Sequence, residues 1–169
     1  MKRLIGFVIV LSCVCGCETS PKPVARIPFP QAEYAALPKT GTGIVRGQVF
    51  MRTRGGDVKT GAGLEVVLNP VTSYSQQWYE VQYKATQGAL IQKIENPDPR
   101  LAQYRRETTA DAEGRFEFKN VPPGDYFVVG LVVWEAPSSS QGSHVTQGGW
   151  IAKQITVKDG EEQHVILTR

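Results

Sequence analysis

Little in this sequence is chemically reactive. All three cysteines, Cys13, Cys15 and Cys17, fall within the first seventeen of 169 residues. The remainder therefore contains no disulfide and no cysteine metal site, and its stability must come from an apolar core. Histidine occurs twice, as His144 and His164. No Gly-x-Ser-x-Gly, His-Glu-x-x-His or phosphate-loop pattern is found. A surplus of one charge is missing too. The formal net charge is +3, and without Lys2 and Arg3 of the leader 17 basic residues face 16 acidic ones. A nucleic-acid footprint needs a basic surplus gathered on one face, so the balance argues against one and no nucleic-acid partner is expected. The pairs Arg52/Arg54 and Arg105/Arg106 read as solvated strand or loop faces.

No apolar run reaches the roughly 20 residues of a spanning helix. The one at the start, Leu4 to about Val14 behind Lys2 and Arg3, has the length and flanks of a signal peptide. Its end, Val14-Cys15-Gly16-Cys17, resembles a bacterial lipobox: an aliphatic residue, a spacer, a small residue, then the cysteine that is lipidated. Cys17 is the expected lipidation site, with Gly16 before it. Val10-Leu11-Ser12-Cys13 is a second reading that would place the lipid on Cys13. A lipidated cysteine carries several acyl chains, as stable anchoring requires. By resemblance to Gram-negative lipoproteins, Glu18 after Cys17 favours the outer membrane. The expected organisation is a signal peptide over 1–16, a lipid-anchored tether over 17–43 and a folded domain over 44–169.

The tether contains Pro21, Pro23, Pro28, Pro30 and Pro38 and has no periodic apolar face. It reads as a semi-extended spacer, with Ile27-Pro28-Phe29-Pro30 its only apolar knot.

Period-two alternation begins at Gly43. Val45, Gly47, Val49 and Met51 share one face, and Leu64, Val66 and Leu68 repeat the pattern before Pro70. The stretch Thr109 to Tyr126 carries two turn devices. Asp111 and Gly114 bracket the first. Phe116 and Phe118 then share a strand face, and Pro122-Pro123-Gly124 ends that strand. Tyr126 opens an apolar run to Trp134 that reads as fully buried. Ala136 to Gly149, rich in serine and glycine, reads as a mobile loop. Trp150–Val157 and Gln163–Leu167 read as a closing hairpin about Asp159-Gly160.

The order Thr109, Asp111, Gly114, Phe116, Phe118, Pro123, Gly124, Tyr126 resembles the central pattern of the carboxypeptidase regulatory-like domain. That resemblance implies a transthyretin-like fold: all-β, a single sandwich of about seven antiparallel strands. It fixes a fold better than a function, because such sandwiches host unrelated roles.

The family passes quickly from its second strand to the Thr-Asp turn, whereas here an insertion spans about 71–107. Ser73 with Gln76 fits a capping box. Tyr74, Trp78, Val81 and Ala85 then fall on one helical stripe, and Gly88 is a plausible end. Tyr74, Trp78, Tyr79 and Tyr83 form the densest aromatic cluster in the chain and are the candidate ligand- or partner-binding residues. Flat rings with polar tips stack on sugars or anchor protein interfaces. Aromatic stripes at this spacing more often pack a helix onto its sheet, which would leave only Tyr79 and Tyr83 outside.

Enzymes on this fold include a hydroxyisourate hydrolase, whose family ends Tyr-Arg-Gly-Ser where this chain ends Ile166-Leu167-Thr168-Arg169. Intradiol dioxygenases hold iron with two histidines close in sequence and two tyrosines, a pattern that His144 and His164 do not make. Lys–Asn isopeptide sandwiches need a first-strand lysine and a last-strand asparagine, and both are missing. Asp111 and Glu113 imitate a carboxylate pair, but the turn accounts for Asp111. The expectation is a non-catalytic envelope module without catalytic residue, cofactor or metal. It is held at a membrane by its N-terminal lipid and binds an envelope protein or, alternatively, a glycan through the insertion.

Overall fold

Strand alternation builds two facing sheets, and the computed structural model describes them over residues 22–138 and 142–169. The cysteines, and with them the leader and both lipidation sites, lie outside the described residues. One sheet contains β1 (Gly43–Arg52), β2 (Val58–Thr60), β5 (Arg115–Val121) and β8 (Glu162–Leu167). The other runs in the order β4 (Arg106–Thr109), β3 (Glu65–Pro70), β6 (Gly124–Pro137), β7 (His144–Val157). This is the expected all-β sandwich with a small helical insertion. Its core is filled from both sheets, by Val45 and Val49 of β1, Val66 and Leu68 of β3, and Val128 and Val132 of β6. Each such side chain contributes about 1.5–3 kcal/mol by leaving water.

The organising turns form as their chemistry dictates. Asp111 Oδ1 accepts from the Glu113 and Arg115 amides at 3.0 and 2.8 Å, and Gly114 takes φ +77. Phe116 and Phe118 are both buried, edge to face with centroids 6.0 Å apart. The Tyr126 hydroxyl donates to the Pro122 carbonyl at 2.9 Å and ties the second turn to its strand.

Several expectations are corrected. β7 and β8 are no hairpin: β8 crosses to the first sheet and lies parallel to β1. The Asp159-Gly160 turn is a corner, held where Asp159 Oδ1 accepts from Thr42 N and Oγ1 at 2.7 and 2.9 Å. Alternation in β8 fixes only which face is apolar, and Val165 and Leu167 reach the core equally well from the opposite sheet. Ala136–Gly149 is largely strand, because β6 and β7 stay paired from Gly124↔Val157 out to Pro137↔His144. Backbone pairing needs no apolar side chains, so a Ser/Gly-rich composition conceals it.

The spacer reading of 22–38 is corrected as well. Val24 bridges Ile94. Helix α1 (Gln31–Ala35) buries Tyr34 against Tyr74 and Leu101, with Phe29 stacked on Tyr34 at 4.7 Å. Proline breaks helices and strands but leaves neighbouring aromatics free to dock, so the Ile27–Pro30 knot acts as an anchor. This segment and the insertion form a third layer over the outer face of the β4-β3-β6-β7 sheet. Phe127 and Val129 of β6 point into that layer while Tyr126 and Val128 point into the sandwich. A strand covered on both faces reads as a continuous apolar run, and this holds from Tyr126 to Gly130. The expectation of full burial to Trp134 is corrected, since Val133 is exposed and Leu131 and Trp134 are only half-buried.

Candidate functional site

The third layer begins where β3 ends. Helix α2 (Ser73–Trp78) is capped one residue earlier than the sequence suggested. Thr72, not Ser73, is the N-cap, its hydroxyl accepting from the Ser75 amide while Ser75 Oγ accepts from the Thr72 amide. After Trp78 the helix widens to a π-helical stretch, Tyr79–Lys84, which Gly88 closes at φ +75. The wider winding turns the aromatic stripe. Trp78, Tyr79 and Tyr83 all pack on the sheet beside Phe127, while Ala85 is left exposed.

Beyond this helix the chain doubles back as an irregular segment, 89–98, before a 3-10 turn (Pro99–Gln103). Gln82 holds that segment in place. Its Nε2 donates to the Ile91 carbonyl at 2.6 Å, and its Oε1 accepts from the Lys93 and Ile94 amides at 2.8 and 3.3 Å. The N-terminal segment grips it from the other side, with Arg26 Nε donating to the Glu95 carbonyl at 3.0 Å.

Between this doubled-back segment and the sheet lies an open cleft of about 660 Å³. Its floor is the outward face of β3 and β6, including Val67, Asn69, Leu131 and Val133. Trp78 and Trp150 stand together at one side, edge to face at 5.7 Å. Leu90 and Ile91 of the doubled-back segment also line it, and both are exposed. The surface is chiefly apolar with polar groups set into it. Arg26 and Arg105 are offset by Glu65 and Glu95, so the charges on the lining balance. Arg105 is already paired with Glu107 at 2.6 Å. Burial draws the pKa of the Arg26 guanidinium down, and it lies 4.8 Å above the Tyr74 ring. The Ser75 hydroxyl turns away from solvent and donates to the Pro70 carbonyl at 2.7 Å.

The four aromatic candidates separate. Trp78 lines the cleft. Tyr74 reaches its wall but is only 1% exposed, with its hydroxyl accepting from the Asp98 amide at 2.7 Å. Tyr79 stacks on Phe127 at 4.5 Å, and Tyr83 lies parallel to Trp78 at 6.4 Å. Neither Tyr79 nor Tyr83 lines the cleft, and neither is left outside as the straight-helix stripe implied: the π-register turns both onto the sheet. Sequence reasoning missed Trp150, Asn69 and Arg105. The available signal was the outward set Glu65, Val67, Asn69, which alternates with the buried Val66 and Leu68.

Among solved structures, the chain is similar to a Pseudomonas aeruginosa protein provisionally named a carbohydrate-binding protein. The two are 34% identical over 85% of this chain and 99% of that one, with a TM-score of 0.74. The chain belongs to that protein's family. A minor pilin of Streptococcus agalactiae is 14% identical over 76% of this chain and 44% of its own, with a TM-score of 0.37, too slight a likeness to bear on the argument. No family model and no curated protein matches the sequence. Family membership extends over the sandwich as a whole, since nearly the full length of the Pseudomonas protein is covered.

Proposed function

We propose that this protein is a non-catalytic binding module of the bacterial cell envelope that takes a carbohydrate in the cleft between its insertion and its second sheet. The naming of its Pseudomonas relative carries this reading. The chemistry of the cleft supports it: paired tryptophans beside an apolar floor suit the C–H faces of sugar rings, and scattered polar groups suit their hydroxyls. The sandwich is of the carboxypeptidase regulatory-like kind, used here for binding. The chain is held by lipid on Cys17, in the outer membrane, facing the periplasm or the exterior.

A protein partner is the second reading. It draws support from Leu90, Ile91 and Val133, which are 45%, 55% and 39% exposed around one cleft. Such an apolar rim also suits an adaptor surface.

One experiment separates them. The mature lipoprotein, extracted in detergent, is applied to an array of envelope, plant and host glycans beside a Val133→Arg variant that fills the cleft without touching the core. Specific glycan retention that the variant loses is expected. Folded protein that retains no glycan would sink the carbohydrate reading in favour of the adaptor. Retention untouched by Val133→Arg would remove the cleft as the site. Labelled fatty acid should enter the wild type and not Cys17→Ser; continued uptake would place the lipid elsewhere.

A further inference from the structure

Two buried side-chain atoms have no hydrogen-bond partner among the described residues, Asn69 Oδ1 and Arg105 Nε, and both residues line the cleft. Burying a polar atom unpaired costs about 1–3 kcal/mol, so each such atom calls for an explanation. Their adjacency is set by the sheet. The β3–β4 pairing ends at Leu68↔Arg106, and Asn69 and Arg105 each lie one residue beyond it, both lining the cleft on the face turned away from the sandwich core. One atom is an acceptor and the other a donor.

We propose that Asn69 and Arg105 are the polar anchor of the cleft and that its ligand is a neutral saccharide, one of whose hydroxyls accepts from Arg105 Nε and donates to Asn69 Oδ1. This rests on the reading of the cleft as a carbohydrate site. A hydroxyl donates and accepts at once, so a single hydroxyl meets both atoms. A carboxylate or phosphate only accepts and would leave Asn69 Oδ1 facing a second acceptor. An ammonium only donates and would leave Arg105 Nε unmet. Charge points the same way. Glu107 already neutralises Arg105 at 2.6 Å, and Glu65 and Glu95 balance the two arginines on the lining. The cleft offers no net attraction to an anion. The rest of the sugar ring then lies over Val67, Leu131 and the two tryptophans, its apolar face against an apolar surface.

The test is calorimetric titration of the mature lipoprotein in detergent with maltohexaose, cellohexaose and a chitin hexamer as neutral probes, and a polygalacturonate hexamer as the acidic one. The variants are Asn69→Leu, Arg105→Lys and the cleft-filling Val133→Arg. Arg105→Lys keeps the charge facing Glu107 and removes the Nε donor. At least one neutral hexamer should bind and the acidic one should bind at least tenfold more weakly. Asn69→Leu and Arg105→Lys should each weaken neutral binding about tenfold, the loss of roughly one buried hydrogen bond. Melting temperature should hold or rise in Asn69→Leu, since an unpaired buried oxygen is removed; a structural asparagine would lose stability instead. Binding that Val133→Arg abolishes but both anchor variants leave intact would keep the cleft as a sugar site and overturn the anchor, whose two atoms would then hold only a structural water. Tighter binding of the acidic hexamer would overturn the neutral ligand. If no hexamer binds, the carbohydrate reading falls, and the anchor with it.

Discussion

At the residue scale, the shape of the cleft depends on one glutamine. Gln82 is 6% exposed and satisfies the backbone of Ile91, Lys93 and Ile94, which no sheet or helix ladder serves. A buried backbone amide without a partner costs nearly as much as a lost hydrogen bond. Gln82→Leu keeps the size of the side chain and removes all three bonds. It should lower stability in urea by about 1–3 kcal/mol. In hydrogen exchange the Lys93 and Ile94 amides should lose protection before the sandwich does. Protection equal to the wild type at those two amides would show that the segment is held by Val24 and Arg26 alone. Nothing in the sequence marked Gln82, because a glutamine in a run of aromatics carries no periodic signal. Its role appears only once a π-helical winding has turned it inward.

At the scale of elements, the segment from Val24 to Leu37 acts as part of the domain. Tyr34 is 1% exposed, stacks on Phe29, and its hydroxyl accepts from Thr72 Oγ1 at 3.0 Å. Tyr34→Ala should cost about 3–5 kcal/mol, the range for deleting a buried aromatic ring. Tyr34→Phe should cost about 1 kcal/mol, that of one hydrogen bond. Thermal melts of both variants check this; a Tyr34→Ala melt within a degree of the wild type would return the segment to the status of a free spacer. The sandwich strands were legible because alternation is local and survives whatever lies across the sheet. The turns were legible too, since Asp111, Gly114 and Pro122-Pro123-Gly124 dictate their own backbone. What covers the outer face was not, because docking of Phe29 and Tyr34 onto Tyr74 joins residues some forty apart. That Asn69 and Arg105 line one cleft depends likewise on the pairing of β3 with β4, which neither segment encodes alone. Trp78 was found because it belongs to a dense aromatic cluster, and Trp150 was missed because it stands among glycines.

Across the whole molecule, carboxylates with lowered pKa tie one join between layers, the sandwich corner and two surface ion pairs, and these decide how acid affects the fold. Glu33 on α1 accepts from Ser73 Oγ and N at 2.6 and 2.7 Å, bonds that hold its pKa below the usual range and tie the N-terminal segment to α2. Asp159 is lowered by its backbone and side-chain bonds from Thr42, which pin the corner between β7 and β8 to the start of β1. Arg100 holds Asp98 at about 2. Lys119 and then Arg46 lower Glu117. A depressed folded pKa stabilises the protein fully above the unfolded value, near 4, and that stabilisation is lost as pH falls through the folded value. The urea midpoint should therefore be flat from pH 7 to about 5 and fall between about 4 and 2. A midpoint unchanged at pH 2.5 would show that these joins add nothing. Salt divides the effect further. Glu33 and Asp159 accept from neutral hydroxyls and amides, whereas Asp98 and Glu117 rely on arginine or lysine at the surface. At about 1 M salt the ion-pair share should be screened away while the Ser73 and Thr42 share persists. The acid-induced loss should then shrink without vanishing, and the double variant Glu33→Gln, Asp159→Asn should remove part of what remains, the rest belonging to Asp111, whose pKa is lowered chiefly by the bond from the Arg115 amide.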